Sequence, residues 1–591
     1  MIKNWELINC DPIGELKNLP DESKSVVVLS SFFNPEDKLR LSPPLHYYLS
    51  DNSIHLLEAC TRVLKVGGVL FVYGLPHDLA YFGKHLSTLS NKKFKMIFKY
   101  WITLDIDDAA RGNTLKPNSQ GLLMFLKSKS NSKSPSPFIL NTDTVRVPYS
   151  YCFACNQNVK DWGGKKHLMN PKGASLSDVW RDLPRLLIKD HIIPNSVLDR
   201  IFDLTENNGA TYLHIIQSEA SISVAPSPIS AATPTGSNWL VDEWNDLLSL
   251  KVNEVYQGEC ISFLDRISSL YPEGVFDMAF ADPPYNLSKG YNNYEDTLIE
   301  EHYINWCDQW LEGMVKTLKP GGSLFILNLP KWAVHHAAYL NQRLEFRHWI
   351  TWDALSDPRG KLMPAHYALL YYTKPGSKSI FNYSSVGSEI DETIVLPPDS
   401  PKYCLRASCI KKRKRSSDNE KVELSDVWFD IHRIKHKRDR DKHPCQLPEK
   451  LLERIILLTT NYGGLVFDPF CGAGTTAIAA RKLERNFVVV DIDPNYVSIT
   501  REKLDSMEQH ADIFGTYTVP RQTVKRKKAA ASKKEVELYL QNLARQLRRE
   551  PTIEDIENDN SDMLKKIDSI YPTRLAAIKR SRIVLKEALS S

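Results

Sequence analysis

The sequence predicts an α/β protein with two tandem domains, each built on a mixed, mostly parallel sheet, followed by a small helical tail. Short, mainly apolar runs that end in turn residues, such as 275–281 and 487–490, are typical of strands buried in parallel sheets. A glycine-rich turn leads from one such run into helical periodicity, and long parts of the chain occur twice. At 591 residues, the chain is long enough for two domains with their own cores.

Ordered repeats indicate an internal duplication. Trp-Ile-Thr occurs at 101–103 and 349–351, and Leu-Ser-Asp-Val-Trp occurs at 176–180 and 424–428, in both cases 248 positions apart. Between the copies lies a Ser-, Ala- and Pro-rich stretch that reads as a linker. We therefore predict a degenerate first domain (1–217), a linker (218–237), a catalytic domain (238–518) and a basic, then helical tail (519–591).

One predicted strand ends in the sequence Asp282-Pro283-Pro284-Tyr285. Open α/β sheets bind their ligands at the carboxyl ends of the strands, so Asp282 places a hydrogen-bond acceptor in a binding crevice. The two prolines remove backbone donors and stiffen the chain, and Tyr285 adds a flat face. This combination suits an exocyclic amino group on a planar base. The first copy has Ser30-Ser31-Phe32-Phe33-Asn34 in this place and is predicted to be inactive.

A second site follows the apolar strand 464–467. Asp468, Phe470, Gly472, Gly474 and Thr475 form a strand–turn–helix sequence in which small residues let the backbone approach a ligand. The next predicted strand ends in Asp491, at the spacing of a carboxylate that binds ribose hydroxyls. The sequence has no Gly-Lys-Ser/Thr phosphate loop, which argues against a triphosphate. S-adenosylmethionine is the candidate that fits.

The net charge of +5 is modest, but the basic residues are clustered, as phosphate contacts require. Solvated loops remain the alternative for each cluster. The predicted DNA contacts in the second half are Lys411, Lys412, Arg413, Lys414, Arg415, Arg433, Lys435 and Lys437.

Cysteine usage and hydropathy favour a protein of the reducing cytoplasm. Ten cysteines follow no regular framework. Cys152 and Cys155 form one Cys-x-x-Cys with no second pair, which is weak evidence for zinc, so we expect no metal. Zinc binding by Cys152 and Cys155, or by Cys404 and Cys409, is the open alternative. The apolar runs are too short to cross a bilayer, and the start of the chain lacks the layout of a signal peptide, so we expect no membrane partner.

Taken together, these residues resemble the β class of S-adenosylmethionine-dependent DNA amino-methyltransferases. The family's catalytic motif resembles residues 282–285, its cofactor loop resembles 468–476, and the segment before that loop resembles 443–454. The catalytic motif precedes the cofactor loop, as in that permuted class. The resemblance covers 253–504 well and 4–215 as a degraded copy, and it implies two tandem Rossmann-like methyltransferase domains. Leu447 stands where the family commonly has a lysine.

The resemblance also implies roles for individual residues. Asp282 and the carbonyl of Pro283 accept hydrogen bonds from the target amino group, and Tyr285 stacks on a base turned out of the duplex. Phe470, Gly472, Gly474 and Asp491 hold the cofactor. Glu259 matches an acidic position that contacts the adenine of the cofactor, and a surface acid is the alternative reading. His443 begins the segment that precedes the cofactor loop.

We therefore expect N6-adenine methylation of specific sites in double-stranded DNA, in a bacterial restriction–modification or stand-alone role. Asp282 favours adenine, because N4-cytosine relatives more often carry serine there. The chain then forms a pseudo-dimer within itself, whose inactive half contributes Lys160, Lys165, Lys166 and Trp162 to DNA binding. A cognate restriction endonuclease is a candidate partner. The alternatives are an N4-cytosine DNA methyltransferase, an RNA adenine methyltransferase and a non-catalytic DNA-binding protein.

Overall fold

A computed structural model shows two mixed α/β sheets, one in each half of the chain, and a separate helical tail. The residues that the structure describes are 5–33, 47–106, 114–130, 140–159, 167–183, 191–220, 222–224, 244, 246–287, 298–354, 362, 366–382, 385–386, 389–390, 402–416, 422–434, 446–509, 530–547, 549, 551–560, 562–564 and 567.

The elements alternate between strands and helices in both halves. The first half contains β1 (Glu6–Ile8), α1 (Pro12–Asn18), β2 (Lys24–Ser30), β3 (Tyr47–Leu49), α2 (Asp51–Val63), β4 (Leu64–Gly74), α3 (Pro76–Thr88), β5 (Phe94–Asp105), β6 (Ser119–Lys129), β7 (Arg146–Val147), β8 (Ala174–Ser175), β9 (Val179–Trp180), α4 (Asn195–Thr205), β10 (Tyr212–Ile216) and β11 (Ile222–Val224). The second half and the tail contain β12 (Glu254–Gln257), α5 (Cys260–Leu270), β13 (Phe276–Ala281), α6 (Glu300–Thr317), β14 (Leu318–Asn328), α7 (Pro330–Leu340), β15 (Glu345–Asp353), β16 (His366–Thr373), β17 (Ser385–Val386), β18 (Glu389–Ile390), α8 (Ala407–Ser416), β19 (Val427–Trp428), α9 (Glu449–Thr459), β20 (Leu465–Asp468), α10 (Thr475–Lys482), β21 (Asn486–Asp491), α11 (Pro494–Gln509), α12 (Ala530–Leu547) and α13 (Ile553–Asp559).

The two main sheets share a strand order, apart from one strand. In the described residues, the first sheet runs β1-β10-β2-β4-β6-β5-β9, and the second runs β12-β21-β20-β13-β14-β16-β15-β19. Each sheet contains one antiparallel strand. In the first sheet β6 runs antiparallel to β4 and β5, and in the second sheet β16 runs antiparallel to β14 and β15. In the first sheet β1 pairs directly with β10, so the place that β21 occupies in the second sheet has no counterpart.

The strand register superposes the two motif positions. Ala281 pairs with Ile326 of β14, and Leu29 pairs with Val72 of β4, at matching places in two strands of 11 residues each. Ser30 therefore stands where the second half has Asp282. The continuous apolar runs of the central strands are buried on both faces, as the sequence pattern predicts for parallel sheets.

One hydrophobic core spans the boundary between the halves. It joins residues of both sheets, including Leu70 and Trp101 from the first and Trp349 and Phe467 from the second. The helices α3 and α7 pack against each other here, and Gly83 faces Val334 so closely that a Cβ would lie 3.0 Å from the valine Cγ1. The halves therefore share a buried interface.

Polar contacts cross this boundary in corresponding pairs. His366 Nδ1 lies 2.9 Å from Asp178 Oδ2, and Asp426, 248 positions after Asp178, accepts from Asn118 N at 2.8 Å and Ser119 Oγ at 3.0 Å. Asp178 and Asp426 are both buried, so the close contact with His366 and the hydrogen bonds to Asp426 hold the two halves in a fixed mutual orientation.

The predicted tail contains the expected helices. Val536, Leu540 and Leu543 of α12 pack with Ile556 of α13 in a small cluster of their own. The second helix begins at a capping box in which Thr552 and Asp555 exchange hydrogen bonds. Within the predicted linker, β11 pairs with β3, which the composition did not indicate. Among the described residues, none of the helices is long and apolar enough to cross a membrane.

Candidate active site

Three carboxylates meet at one edge of the second sheet. Asp282 follows β13, Asp468 ends β20 and Asp491 ends β21, and these strands are parallel neighbours. The carboxyl ends of parallel strands lie at the same edge, so the two sequence motifs, almost 200 residues apart, form one site. The structure thus brings together the predicted catalytic and cofactor residues.

The segment 282–285 is held rigidly from both sides. Tyr285, 6% exposed, donates its hydroxyl to Asp282 Oδ1 at 2.5 Å. Tyr303 of α6 donates to the carbonyl of Pro284 at 2.6 Å, and Trp332 of α7 donates its indole N–H to the carbonyl of Tyr285 at 2.8 Å. Side chains of two helices thus hold two backbone carbonyls of this segment in place. The two prolines have no N–H of their own with which to hold the segment.

An aromatic contact connects this motif to a basic residue. The ring of Tyr285 lies 5.8 Å from that of Tyr367, whose hydroxyl accepts a hydrogen bond from Arg433 Nη1 at 2.8 Å. The predicted DNA contact Arg433 is partly exposed and therefore lies at the rim of the site.

The glycine turn forms a closed cradle beside Asp468. Thr476 donates its hydroxyl to Asp468 Oδ2 at 2.5 Å, and Phe470 N donates to Oδ1 at 2.9 Å. Asp491 accepts from Gly472 N at 2.8 Å and from Asp493 N at 2.9 Å, one bond at each oxygen. Each carboxylate oxygen of Asp491 retains a second lone pair for a ligand hydroxyl.

Burial makes the acids of this cradle hard to ionise. Burial raises the pKa of Asp468 to about 7, and the neighbouring charges of Asp282 and Asp491 act in the same direction. Burial also raises the pKa of Asp491 to about 6. A cationic ligand favours the ionised forms of these two acids and so lowers their pKa values again. The carboxyl groups of Asp468 and Asp491 therefore fit S-adenosylmethionine, whose sulfonium and ammonium groups are positive.

Glu259 is placed beside the cradle as a helix cap. Its carboxylate accepts from Ser262 N at 2.8 Å at the start of α5, and the adjacent Gly258 N donates to the carbonyl of Asp491 at 3.0 Å. The structure thus supports a structural role for Glu259 and leaves the predicted adenine contact a prediction.

An aromatic wall surrounds Phe470, which the motifs in the sequence did not predict. The ring of Phe470 lies 5.7 Å from Trp306 and 5.3 Å from Trp310, both on α6. Tyr303, Trp306 and Trp310 recur at spacings of three and four, which place them on one helix face. This periodicity is a signal that could have identified the wall from the sequence.

The predicted DNA-binding cluster divides into exposed and buried members. On α8, Lys411, Lys412, Lys414 and Arg415 are exposed, whereas Arg413 is fully buried. The prediction that Arg413 contacts DNA is therefore wrong, because its guanidinium packs over Tyr403 at 4.6 Å inside the protein. Several predicted residues lie outside the described part of the chain, namely His443, Lys435, Lys437, Lys160, Trp162, Lys165 and Lys166.

The expectation of no metal rests on the lack of a second cysteine pair next to Cys152 and Cys155 in the sequence. The missing second cysteine pair exists in space, because Cys404 and Cys409 lie beside Cys152 and Cys155 with all four sulfur atoms within 4.8 Å of one another. Sequence distance concealed this group, since the two pairs come from different halves of the chain.

The corresponding edge of the first sheet is filled. Ser30 Oγ lies 3.0 Å from His214 Nε2 and accepts from Ile193 N at 3.1 Å. Phe33, 5% exposed, packs near Tyr73, with ring centroids 6.1 Å apart. Burial lowers the pKa of His214 to about 4, so that the imidazole is neutral. Hydroxyl, imidazole and aromatic groups thus stand where the second half has its carboxylates.

Comparisons with known proteins agree with this geometry. A DNA methylase family model matches residues 276–502. The Type II methyltransferase M.BamHI of Bacillus amyloliquefaciens is 30% identical over 334 residues, which are 55% of this chain and 75% of that protein. M.HpaI of Haemophilus parainfluenzae is 33% identical over 42% of this chain and 73% of its own. The DNA adenine methyltransferase YhdJ of Escherichia coli is 28% identical over 42% of this chain and 82% of its own.

The matched region contains both Asp282 and the cradle from Asp468 to Asp491. An identity of 30% over 75% of the length of M.BamHI indicates common descent. The chain therefore belongs to the DNA methylase family, the S-adenosylmethionine-dependent DNA amino-methyltransferases.

Proposed function

We propose that this chain methylates the exocyclic N6 amino group of adenine at specific sites in double-stranded DNA. The observation that carries the proposal is the position of Asp282 next to Asp468 and Asp491 at one sheet edge. An aspartate at 282 and the adenine specificity named for the Escherichia coli relative favour adenine over cytosine. The relatives that belong to Type II systems suggest a bacterial cytoplasmic role, with or without a cognate restriction endonuclease.

Asp282 and the carbonyl of Pro283 accept the two amino protons of the target base. Withdrawal of these protons toward the carboxylate raises the electron density of the nitrogen lone pair. Because the target atom lies inside the base stack of a duplex, the base turns out before reaction. Tyr285 then offers its ring, and the bonds from Tyr303 and Trp332 keep the segment from shifting.

The cradle positions the cofactor against Asp282. Bound S-adenosylmethionine supplies the electrophilic methyl group. Asp491 offers acceptors to ribose hydroxyls, Phe470 and its aromatic neighbours supply an apolar wall, and Gly472, Gly474 and Thr475 allow close approach. Asp468 lies between the two sites, and its carboxylate balances the cationic cofactor.

We further propose that the two halves are a tandem duplication whose first copy has lost the reaction. The shared strand order, the superposable register and the filled edge around Ser30 support this reading. The domain bounds predicted from the sequence, 1–217 and 238–518, follow from it, except that the pairing of β11 with β3 extends the first domain to residue 224. The first copy then acts as the partner subunit of a pseudo-dimer, and the exposed basic residues of α8 contact DNA phosphates.

The test uses the full chain and the Asp282→Ala variant. Cofactor binding is measured by calorimetry, and transfer to duplex DNA and to structured RNA is measured with a labelled methyl group. We expect binding to be retained and transfer to fall at least about 100-fold. Nucleoside mass spectrometry of the product is expected to show N6-methyladenine.

Asp199→Asn is the matched control, because this acid lies exposed on α4 of the first half. It is expected to behave like the wild type. N4-methylcytosine as product would assign the chain to the cytosine enzymes, and transfer to RNA alone would overturn the DNA proposal. Failure of the wild type to bind cofactor would indicate a non-catalytic DNA-binding protein.

A further inference from the structure

Four cysteines from both halves meet away from the candidate active site. Cys152 and Cys155 lie between β7 and β8. Cys404 lies just before α8, and Cys409 lies in the first turn of α8. The sulfur atoms of Cys152 and Cys409 are 3.6 Å apart, and those of Cys155 and Cys404 are 3.7 Å apart. All four lie within 4.8 Å of one another. Each short pair thus joins one cysteine of the first half to one of the second.

These distances match a metal site rather than disulfides. A disulfide requires sulfur atoms about 2.05 Å apart. Four thiolates bound to a tetrahedral zinc ion at about 2.3 Å lie about 3.8 Å from one another. Cys-x-x-Cys is a common zinc-binding spacing, and soft thiolate ligands in a tetrahedral group favour zinc.

The surroundings are built to hold the sulfur atoms in place. Asn156, which directly follows Cys155, has a φ of 49°, and its N–H donates to the carbonyl of Cys152 at 2.8 Å. This tight turn lies inside the β-bridge between Tyr151 and Asn158. Phe153 N donates across the boundary to the carbonyl of Lys402 at 3.2 Å. Cys152, Cys404 and Cys409 are nearly or fully buried. Both loops therefore present their thiols inward before any ion is considered.

A buried cation accompanies the thiols. Arg413, fully buried one turn after Cys409 on α8, donates Nη2–H to the carbonyl of Cys404 at 3.2 Å. Four thiolates around a divalent ion carry a net charge of minus two, which a buried arginine partly neutralises. This charge balance explains why Arg413 is buried beside the cysteines while its basic neighbours on α8 are exposed.

The apolar packing around these cysteines is small. Among the residues that the structure describes, the buried members of this cluster are Cys152, Cys404 and Cys409, with the partly buried Ala154, Cys155, Val159 and Tyr403 around them. So few apolar side chains give little free energy of burial, and small structural units of this kind commonly depend on a metal.

We propose that Cys152, Cys155, Cys404 and Cys409 bind one zinc ion as four thiolates. The site is structural, because four protein ligands leave no position open for a substrate. It ties the loop after β7 to helix α8 and so holds the exposed basic face of α8 in a fixed position relative to the first half.

The test is the metal content of the purified full-length protein, grown with added zinc and measured by plasma mass spectrometry. We expect about one zinc ion per chain in the wild type and less than a tenth of that in Cys152→Ser and Cys409→Ser. The control is Cys10→Ser, since Cys10 is exposed and outside the cluster, and it is expected to retain the metal. Wild-type protein without zinc, or with iron in its place, would overturn the proposal.

A second measurement guards against misfolded variants, because it uses wild-type protein. Cobalt is exchanged into the wild type, and its absorption spectrum is recorded. Intense ligand-field bands with sulfur-to-cobalt charge transfer are expected for a tetrahedral thiolate site. A weak octahedral spectrum would contradict the assignment. After chelation of the metal, trypsin is expected to cut faster after Lys411 and Lys414, and an unchanged rate would show that zinc does not fix α8.

Discussion

The indole ring of Trp101 stacks on that of Trp349 with centroids 3.8 Å apart and planes only 4° apart. The two residues occupy the same place in the two repeats, 248 positions apart, as do Thr103 and Thr351, whose hydroxyl oxygens lie 2.9 Å apart. Equivalent residues can touch one another only at an axis of twofold symmetry. These contacts between β5 and β15 support the proposed pseudo-dimer, which requires a pseudo-twofold axis between the two strands.

We expect Trp101→Ala to lower the free energy of unfolding by about 3–5 kcal/mol, because it removes a large buried ring at the interface of the halves. Trp101→Ala and Trp349→Ala together should cost less than their sum, with a coupling of about 0.5–1.5 kcal/mol from the lost stacking. Urea denaturation followed by far-ultraviolet circular dichroism measures both. Leu451→Ala, in a separate core cluster, is the control and should add independently to Trp101→Ala.

Cofactor binding should depend on pH through Asp468. Its pKa of about 7 lies above the ordinary value of 3.8, so the carboxyl is largely protonated below pH 7 in the free protein. A cationic cofactor favours the ionised form, and its affinity should therefore rise with pH up to about 7, by at most about tenfold per unit. Calorimetric titrations from pH 5.5 to 8.5, in steps of about half a unit, test this.

Asp468→Asn should reduce this pH dependence to the part carried by Asp491, whose pKa burial raises to about 6, and Asp199→Asn should preserve it in full. The same raised pKa predicts that the wild type loses stability as pH rises from about 4 to about 7, because the unfolded chain releases this proton first. An affinity that is independent of pH in the wild type would refute the assignment of Asp468.

Gly474 should tolerate no side chain. Its φ is +80°, and a Cβ would lie 2.5 Å from Thr500 Cγ2. Gly209 has nearly the same φ, +81°, with nothing within 4 Å of a Cβ, and is thus the matched control. Gly209→Ala should cost about 1–2 kcal/mol of stability from backbone strain alone. Gly474→Ala should cost more and also weaken cofactor binding, measured by urea denaturation and calorimetry. Equal effects of both variants would exclude the close approach to Thr500 as the cause.

The exposed basic residues of α8 should contribute to DNA affinity through phosphates. Replacing Lys411, Lys412, Lys414 and Arg415 by alanine should weaken binding to all duplexes and reduce the slope of log affinity against log salt by about 0.9 for each lost contact. Fluorescence anisotropy at several salt concentrations measures the slope. Lys92→Ala with Lys93→Ala, exposed on the first half, is the control. An unchanged slope would place the DNA surface elsewhere.

The sequence predicted the candidate site because each part depends on local pattern. The apolar run before Asp282 favours a strand, and the glycine turn after Asp468 favours a strand–turn–helix, as the structure shows at both places. The carboxyl ends of parallel strands then converge by a general property of such sheets. Trp306 and Trp310 were missed, although their helical spacing carried the information.

The sequence by itself determined the repeats, the strand ends that bear Asp282, Asp468 and Asp491, and the helices of the tail. Only the tertiary structure decided that Trp101 meets Trp349, that four distant cysteines form one group, and that Arg413 is inside while its neighbours on α8 are outside. The physical reason is the range of the forces concerned. Backbone preferences and hydrophobic periodicity act over a few residues. The packing of the two halves, in contrast, decides which distant side chains become neighbours, such as Thr103 and Thr351, 248 positions apart, or Cys152 and Cys409, 257 positions apart.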